Sequence, residues 1–217
     1  MDRRHFIRTA AWLGVGATAA YALAGLPAPA FAADSLPFGA DDPDAKEGGV
    51  LRVGMLVQKM EDPATYTWGE MANQTRHILE YLTSTGTDNV TRPMLAEGWE
   101  ASEDLTTWTF YLRQGVTWHN GEALTAEQVA WNVERWLDPQ LGSGNRGLST
   151  FAAMLRDTGQ TDDQGKAVKE TIPGSVEVVD AQTIRFNLST PVLSVAQDLN
   201  SYPCAILHPS FVAPFSD

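Results

Sequence analysis

Hydrophobic and polar positions alternate most regularly between Leu105 and Arg113, where Trp108, Phe110 and Leu112 take one side and Thr109, Tyr111 and Arg113 the other. A period of two predicts a strand buried on one face. Val176–Asp180 and Thr183–Leu188 predict two more strands around the tight turn Asp180-Ala181-Gln182, and Gly49–Val57 (GVLRVGMLV) reads as a short buried strand that stops at Glu61-Asp62-Pro63. From Gly69 the period lengthens. Met71, Thr75, Ile78, Leu79 and Leu82 share one helical face, and Thr85–Asn89 ends the run as a turn. VTWH, residues 116–119, is a short strand between turn signals at Gly115 and Asn120-Gly121. Thr125-Ala126-Glu127-Gln128 then has the form of a capping box, followed by Val129, Val133, Trp136 and Leu137 at helical spacing and closed by Asp138-Pro139. A glycine-rich loop (140–148) precedes a short helix over STFAAMLRD, and residues 157–174 read as a polar surface excursion. Pro191 is placed to open another helix, and YPCAILHP, residues 202–209, returns to an apolar strand. No internal repeat is visible. The mixture is α/β.

The N-terminus changes the setting of these elements. Arg3, Arg4 and Arg8 precede an apolar run of small residues and then Ala30-Phe31-Ala32, the form of a cleaved export signal. The pair Arg3-Arg4, followed by Phe6 and Ile7, resembles the twin-arginine address. The run is barely of spanning length, and the small-residue cleavage site behind it favours removal over a membrane helix. No cysteine lies near that site, so a lipid-modified N-terminus is not expected. The single cysteine, Cys204, sits in an apolar run and reads as a small packed residue, with no disulfide framework to join. Removing residues 1–32 takes away Asp2 and three arginines, which leaves 26 acidic against 12 basic residues, a net charge of −14 over 185 residues. Such a surface repels nucleic acid and anionic lipid. A soluble, exported, periplasmic protein is the expectation.

Reactive groups do not converge. His77, His119 and His208 lie in separate segments, no His-Glu-x-x-His spacing or cysteine pair points to zinc, and no Gly-x-Ser-x-Gly elbow is present. The loop GSGNRG lacks a following Lys-Ser/Thr and reads as a turn rather than a phosphate cradle. The corner Trp118-His119-Asn120 invites a catalytic reading, but a lone histidine supplies neither a base–nucleophile pair nor a metal set. No enzyme, cofactor or metal is expected.

The order of segments carries more. GGVLRVG, EDPATY, LAEGWEASEDLTTWTFYLRQGVTWHNGEALTAEQVAWNVERWLDP and VEVVDAQTIRFNLSTPV together resemble the extracellular solute-binding proteins of family 5, from about Gly48 to about Pro209. That family serves ATP-driven uptake systems and includes dipeptide, oligopeptide and nickel binders. The resemblance makes the Trp118–Trp136 stretch a structural signature of strand, turn and capped helix, with Trp118, Trp131 and Trp136 as packing residues and His119 as a turn residue.

The resemblance implies a two-lobed α/β fold of the periplasmic-binding-protein type (type II) that closes on its ligand by hinge motion. By that analogy residues 1–32 are the cleaved signal and 33–48 a flexible leader. Residues 49–68 then start the first lobe, 69–190 form the family's extra α/β domain, and 191–217 return to the first lobe. The family's order breaks off there with its second lobe missing, so the chain is expected to be the N-terminal part of a longer one and to lack the second wall of the cleft. On the remaining wall, Tyr66, Thr67, Trp68 and Glu70 and the loop residues Arg146 to Phe151 occupy positions that line the cleft in relatives. Trp68 would offer an apolar platform, and Glu70 or Arg146 would fix a charged end of the ligand. The implied function is the receptor of an ABC uptake transporter, taking a small ligand, above all a peptide, to an inner-membrane permease with its ATPase, as a monomer. Alternatives are the same fold binding a nickel chelate, haem or an oligosaccharide, a sensor that serves no transporter, or an exported cofactor enzyme.

Overall fold

The alternation at Trp108, Phe110 and Leu112 does build a strand, and it is the centre of the fold. In the computed structural model, which describes residues 48–213 apart from 58 and 87, this strand runs through Thr107–Leu112 with those three side chains buried. The export-type segment 1–32, and all of the leader except Gly48, lie outside the described residues. The helices and strands among the described residues fall in the compact unit 50–217.

Numbered in chain order, the strands are β1 (Thr83–Thr85), β2 (Thr91–Pro93), β3 (Ala96–Ala101), β4 (Thr107–Leu112), β5 (Leu155–Thr161), β6 (Ala167–Thr171), β7 (Val176–Asp180) and β8 (Thr183–Asn187). The helices are α1 (Gly69–Thr75), α2 (Ala126–Leu137), α3 (Ser149–Ala152) and α4 (Val195–Asp198). β3, β4, β8 and β7 form an antiparallel sheet in that order, flanked by the hairpins β1–β2 and β5–β6. In β4 and β8 the alternation places Phe110 against Phe186, ring centroids 5.5 Å apart. α2 covers this face with Val129, Val133, Trp136 and Leu137, all buried. Its capping box forms as the spacing predicts, the Gln128 side chain accepting from the Thr125 N–H at 3.0 Å. The tight turn after β7 docks under the helix start, where the Ala126 N–H donates to the carbonyl of Ala181 at 2.9 Å.

Five expectations change. Residues 50–57 form no strand. Val50, Leu51, Val53, Leu56 and Val57 are exposed, and among the described residues no neighbouring strand completes a ladder with them. The helix from Gly69 ends at Thr75 instead of reaching Leu82, because the chain turns out to pair Glu80 with Ile206 and to enter β1, leaving Ile78 53% exposed. Pro191 does not open a helix: the Val192 N–H is held by the carbonyl of Leu105 at 3.1 Å, and α4 starts only at Val195. Residues 202–209 are buried from Pro203 to Leu207 but carry the single bridge Glu80–Ile206 rather than a strand. There a side chain replaces the ladder. The Asn132 amide donates to the Leu207 carbonyl at 2.7 Å, and the Leu207 N–H donates to Asn132 Oδ1 at 3.0 Å. VTWH likewise condenses to one bridge, Thr117–Ala123. The polar stretch 157–174 is largely the exposed hairpin β5–β6.

Candidate functional site

Of the two segments predicted to face a ligand, 66–70 and 146–151, the first follows a turn tied to the glycine-rich loop at Ala64 and Ser143, and not every side chain of either is exposed. Asp62 starts the first. Its Oδ1 accepts from the Ala64 N–H at 2.9 Å and caps one 3-10 turn, Pro63–Thr65, where proline sits with no N–H to lose. Asp62 Oδ2 pairs with the guanidinium of Arg135, from the last turn of α2. Ser143 in the glycine-rich loop donates from Oγ to the Ala64 carbonyl at 2.8 Å, and the Tyr202 hydroxyl donates to the Thr67 carbonyl at 3.1 Å. The loop is in turn tied to the C-terminal segment through Asn145 Nδ2 and the Pro203 carbonyl, 3.0 Å. GSGNRG is therefore a stitched corner rather than a free turn.

Held in this way, Thr67, Trp68 and Glu70 stand on the surface, Trp68 with 63% of its area exposed, and Glu70 lies in the first turn of α1. Tyr66 and Phe151 do not join them. Tyr66 is 1% exposed, and burial pushes its hydroxyl pKa up, with Thr75 opposing. Phe151 is wholly buried, edge-on to Trp136 at 5.5 Å. Arg146 is half-buried, its guanidinium donating to the carbonyls of Leu137 and, at 3.1 Å, Lys169; burial draws its pKa down, with Asp138 opposing. It closes a helix end rather than offering a charge to a ligand. The surface that remains is an indole platform beside one carboxylate, suited to an apolar group next to a cation.

The signature corner packs as a structural unit. Gln128 Oε1, which already accepts from Thr125, also accepts from the Trp118 indole N–H at 2.7 Å, and His119 is exposed. Trp118 meets His208 edge-on at 5.2 Å, and His208 Nε2 lies 2.9 Å from Glu122 Oε2. Trp118, His119 and His208 border an apolar cleft of about 280 Å³, with Ile78, Leu95, Ile206 and Phe211 among its walls. Sequence reasoning missed this cleft because its walls come from segments more than a hundred residues apart. It also passed over Asp62 and Arg135, although both sit in the motifs EDPATY and VERWLDP. Among the described residues no group of three or more histidines, cysteines or carboxylates is placed to hold a metal, and no helix is long and apolar enough to cross a membrane.

Comparison with known proteins places this architecture. Residues 90–215 match the family model of bacterial extracellular solute-binding proteins, family 5 Middle. The dipeptide-binding protein DppE of Bacillus subtilis is 32% identical over 130 residues, which is 58% of this chain and 23% of that protein. Among solved structures, OppA of Haemophilus influenzae in complex with RPPGFSPFR superposes with a TM-score of 0.55 at 22% identity, over 67% of this chain and 28% of that one. NikA from Brucella suis in complex with Fe(III)-EDTA gives 0.53 at 27% identity, over 69% and 26%. The chain thus spans about a quarter of the proteins it resembles, and the mixed helix–sheet fold seen here is a portion of their two-lobed architecture. With the β3–β8 sheet, α2 and its signature corner all inside the matched residues, the chain belongs to the bacterial extracellular solute-binding proteins of family 5.

Proposed function

We propose that this chain supplies one wall of the ligand cleft in an extracytoplasmic receptor of an ABC uptake transporter, and that the ligand is a peptide. The observation that carries the reading is the exposed run Thr67-Trp68-Gly69-Glu70, anchored at Asp62, Ala64 and Thr67 to three separate parts of a family-5 fold. A ligand wall needs that combination of an outward apolar surface, a polar group and a fixed backbone. On this reading 49–68 and 191–217 belong to the first lobe and 69–190 to the extra domain. The receptor is exported by the twin-arginine route, stays soluble and monomeric in the periplasm without a lipid anchor, and hands its ligand to a permease with its ATPase. Binding and delivery need no chemistry. The dipeptide-binding relative supports the peptide class.

Native mass spectrometry of the protein recovered from its own cells tests the ligand class, with titration of trialanine as the companion measurement. Extra mass of a short peptide, lost on denaturation, supports the proposal. A metal chelate or haem mass overturns the peptide class. A protein that carries no small molecule and gives no heat with trialanine overturns the receptor reading. In the binding-competent protein, Trp68→Ala should weaken peptide affinity about tenfold or more, on the order of 1.4 kcal/mol.

A further inference from the structure

We infer that Asp62 and Arg135 are positioning residues: their ion pair sets the exposed wall Thr67–Glu70 on the signature helix, so that α2 governs the ligand-facing segment. This rests on the reading of that wall as ligand-facing. The two residues lie in two separated motifs, EDPATY and VERWLDP, to which packing alone assigns no polar role. Their side chains are 9% and 15% exposed, so the pair is largely withdrawn from water. Asp62 acts with both oxygens, Oδ1 capping the turn Pro63–Thr65 and Oδ2 meeting Arg135. Arg135 is itself fixed by two rings, its guanidinium carbon 5.3 Å from the Trp131 centroid and 5.6 Å from the Phe211 centroid. A planar guanidinium can stack on aromatic faces and bind a carboxylate at the same time. One side chain therefore joins α2, the C-terminal segment and the base of the wall, five residues before Thr67. The Ser143 and Tyr202 contacts hold the backbone at Ala64 and Thr67, while among the described residues Asp62–Arg135 is the charged tie between this segment and α2. Truncating one partner of such a pair leaves the other charge buried and unpaired, which loosens what it holds.

Hydrogen exchange on the whole chain tests the inference, with Asp62→Asn, Arg135→Ala and Arg135→Lys as variants. Asp62→Asn keeps the capping oxygen and removes the charge, so it remains informative if Arg135→Ala fails to fold. The expected result is exchange about tenfold faster or more at the hydrogen-bonded amides of Ala64, Thr65 and Tyr66 at the base of the wall in Asp62→Asn and Arg135→Ala. Protection in β4 and β8 should stay unchanged, and Arg135→Lys, which keeps the charge but not the planar stacking on Trp131 and Phe211, should restore only part of the protection at the wall. Unchanged exchange at 64–66, or acceleration spread equally over β4 and β8, overturns the positioning role. Trialanine titration separates the two readings. A wall that loosens in the variants while the whole receptor recovered from its own cells binds no peptide sinks the ligand reading and leaves the positioning role standing. Peptide affinity lost with no change in exchange at 64–66 does the reverse.

Discussion

At the scale of single residues, the informative side chains are buried polar groups with defined partners. Asn132 is wholly buried, and its amide serves both main-chain groups of Leu207 and the Gln128 carbonyl. Asn132→Ala should cost about 1–3 kcal/mol, because it strands buried backbone groups that have no water to turn to; urea denaturation reads the loss directly. Cys204 is buried, its Sγ 3.1 Å from Asn145 Oδ1, and burial holds the thiol well above its ordinary pKa. Iodoacetamide at pH 8 should leave it untouched in the native protein and label it fully in urea, since only the exposed thiolate reacts. Two surface carboxylates bear on acid stability. The Arg92 hydrogen bonds hold Asp88 well below the carboxylate range, and the Ser102 and Thr106 hydroxyls lower Asp104. Folding lowers both pKa values, so their contribution is complete above the unfolded value of about 3.9 and is lost as pH falls through the folded values. Thermal stability should therefore decline below about pH 4, and Asp104→Asn should make that decline shallower.

Among the elements, α2 shows how a local sequence rule acquires a tertiary role. The capping box at Thr125 and Gln128 is readable from four residues, but the same Gln128 oxygen also receives the Trp118 indole. Gln128→Ala should cost about 1–2 kcal/mol in thermal unfolding, more than a cap alone, because it frees a half-buried indole donor as well. Gln128→Glu, which keeps the acceptor, should restore most of that loss. Strands β4 and β8 follow their alternation because each has one face buried, where a period of two decides the register, whereas β7 closes the sheet beside β8 with its side chains largely exposed. The shorter elements do not follow it. Met71 to Leu82 has helical spacing, yet the chain leaves the helix at Arg76, since the Glu80–Ile206 bridge and the hairpin β1–β2 outweigh the propensity of one further turn.

For the molecule as a whole, two surfaces stand out: the exposed apolar segment Val50–Val57 and the apolar cleft beside Trp118. The segment carries no helix or strand, and Arg52 and Lys59 lie on the surface along it. Limited trypsin digestion should cut at these two positions well before any site in α2 or the β3–β8 sheet, leaving a resistant piece that starts at Met60. Early cleavage within α2 would show that the core is not the stable unit its packing implies. The portion of a two-lobed fold present here has a continuous core, running from Leu82 through the sheet and α2 to Ile206.

The sequence by itself determined the strands at β4, β7 and β8, the capped helix α2, the packing role of Trp118 and Trp136 and the family, because each is written in residues adjacent along the chain, whereas Trp131 stays half-exposed against Arg135. It determined no more of the wall than its location. Tyr66 and Phe151 look as available as Trp68 in a string of letters, and only packing against Trp136 and the core buries two of them and leaves the third in water. Arg146 reads as a free cation until the carbonyls of Leu137 and Lys169 are seen to take its donors. Tertiary structure alone decided these matters, and the pairing of Asp62 with Arg135 across 73 residues, because burial and partnership depend on which distant segments meet.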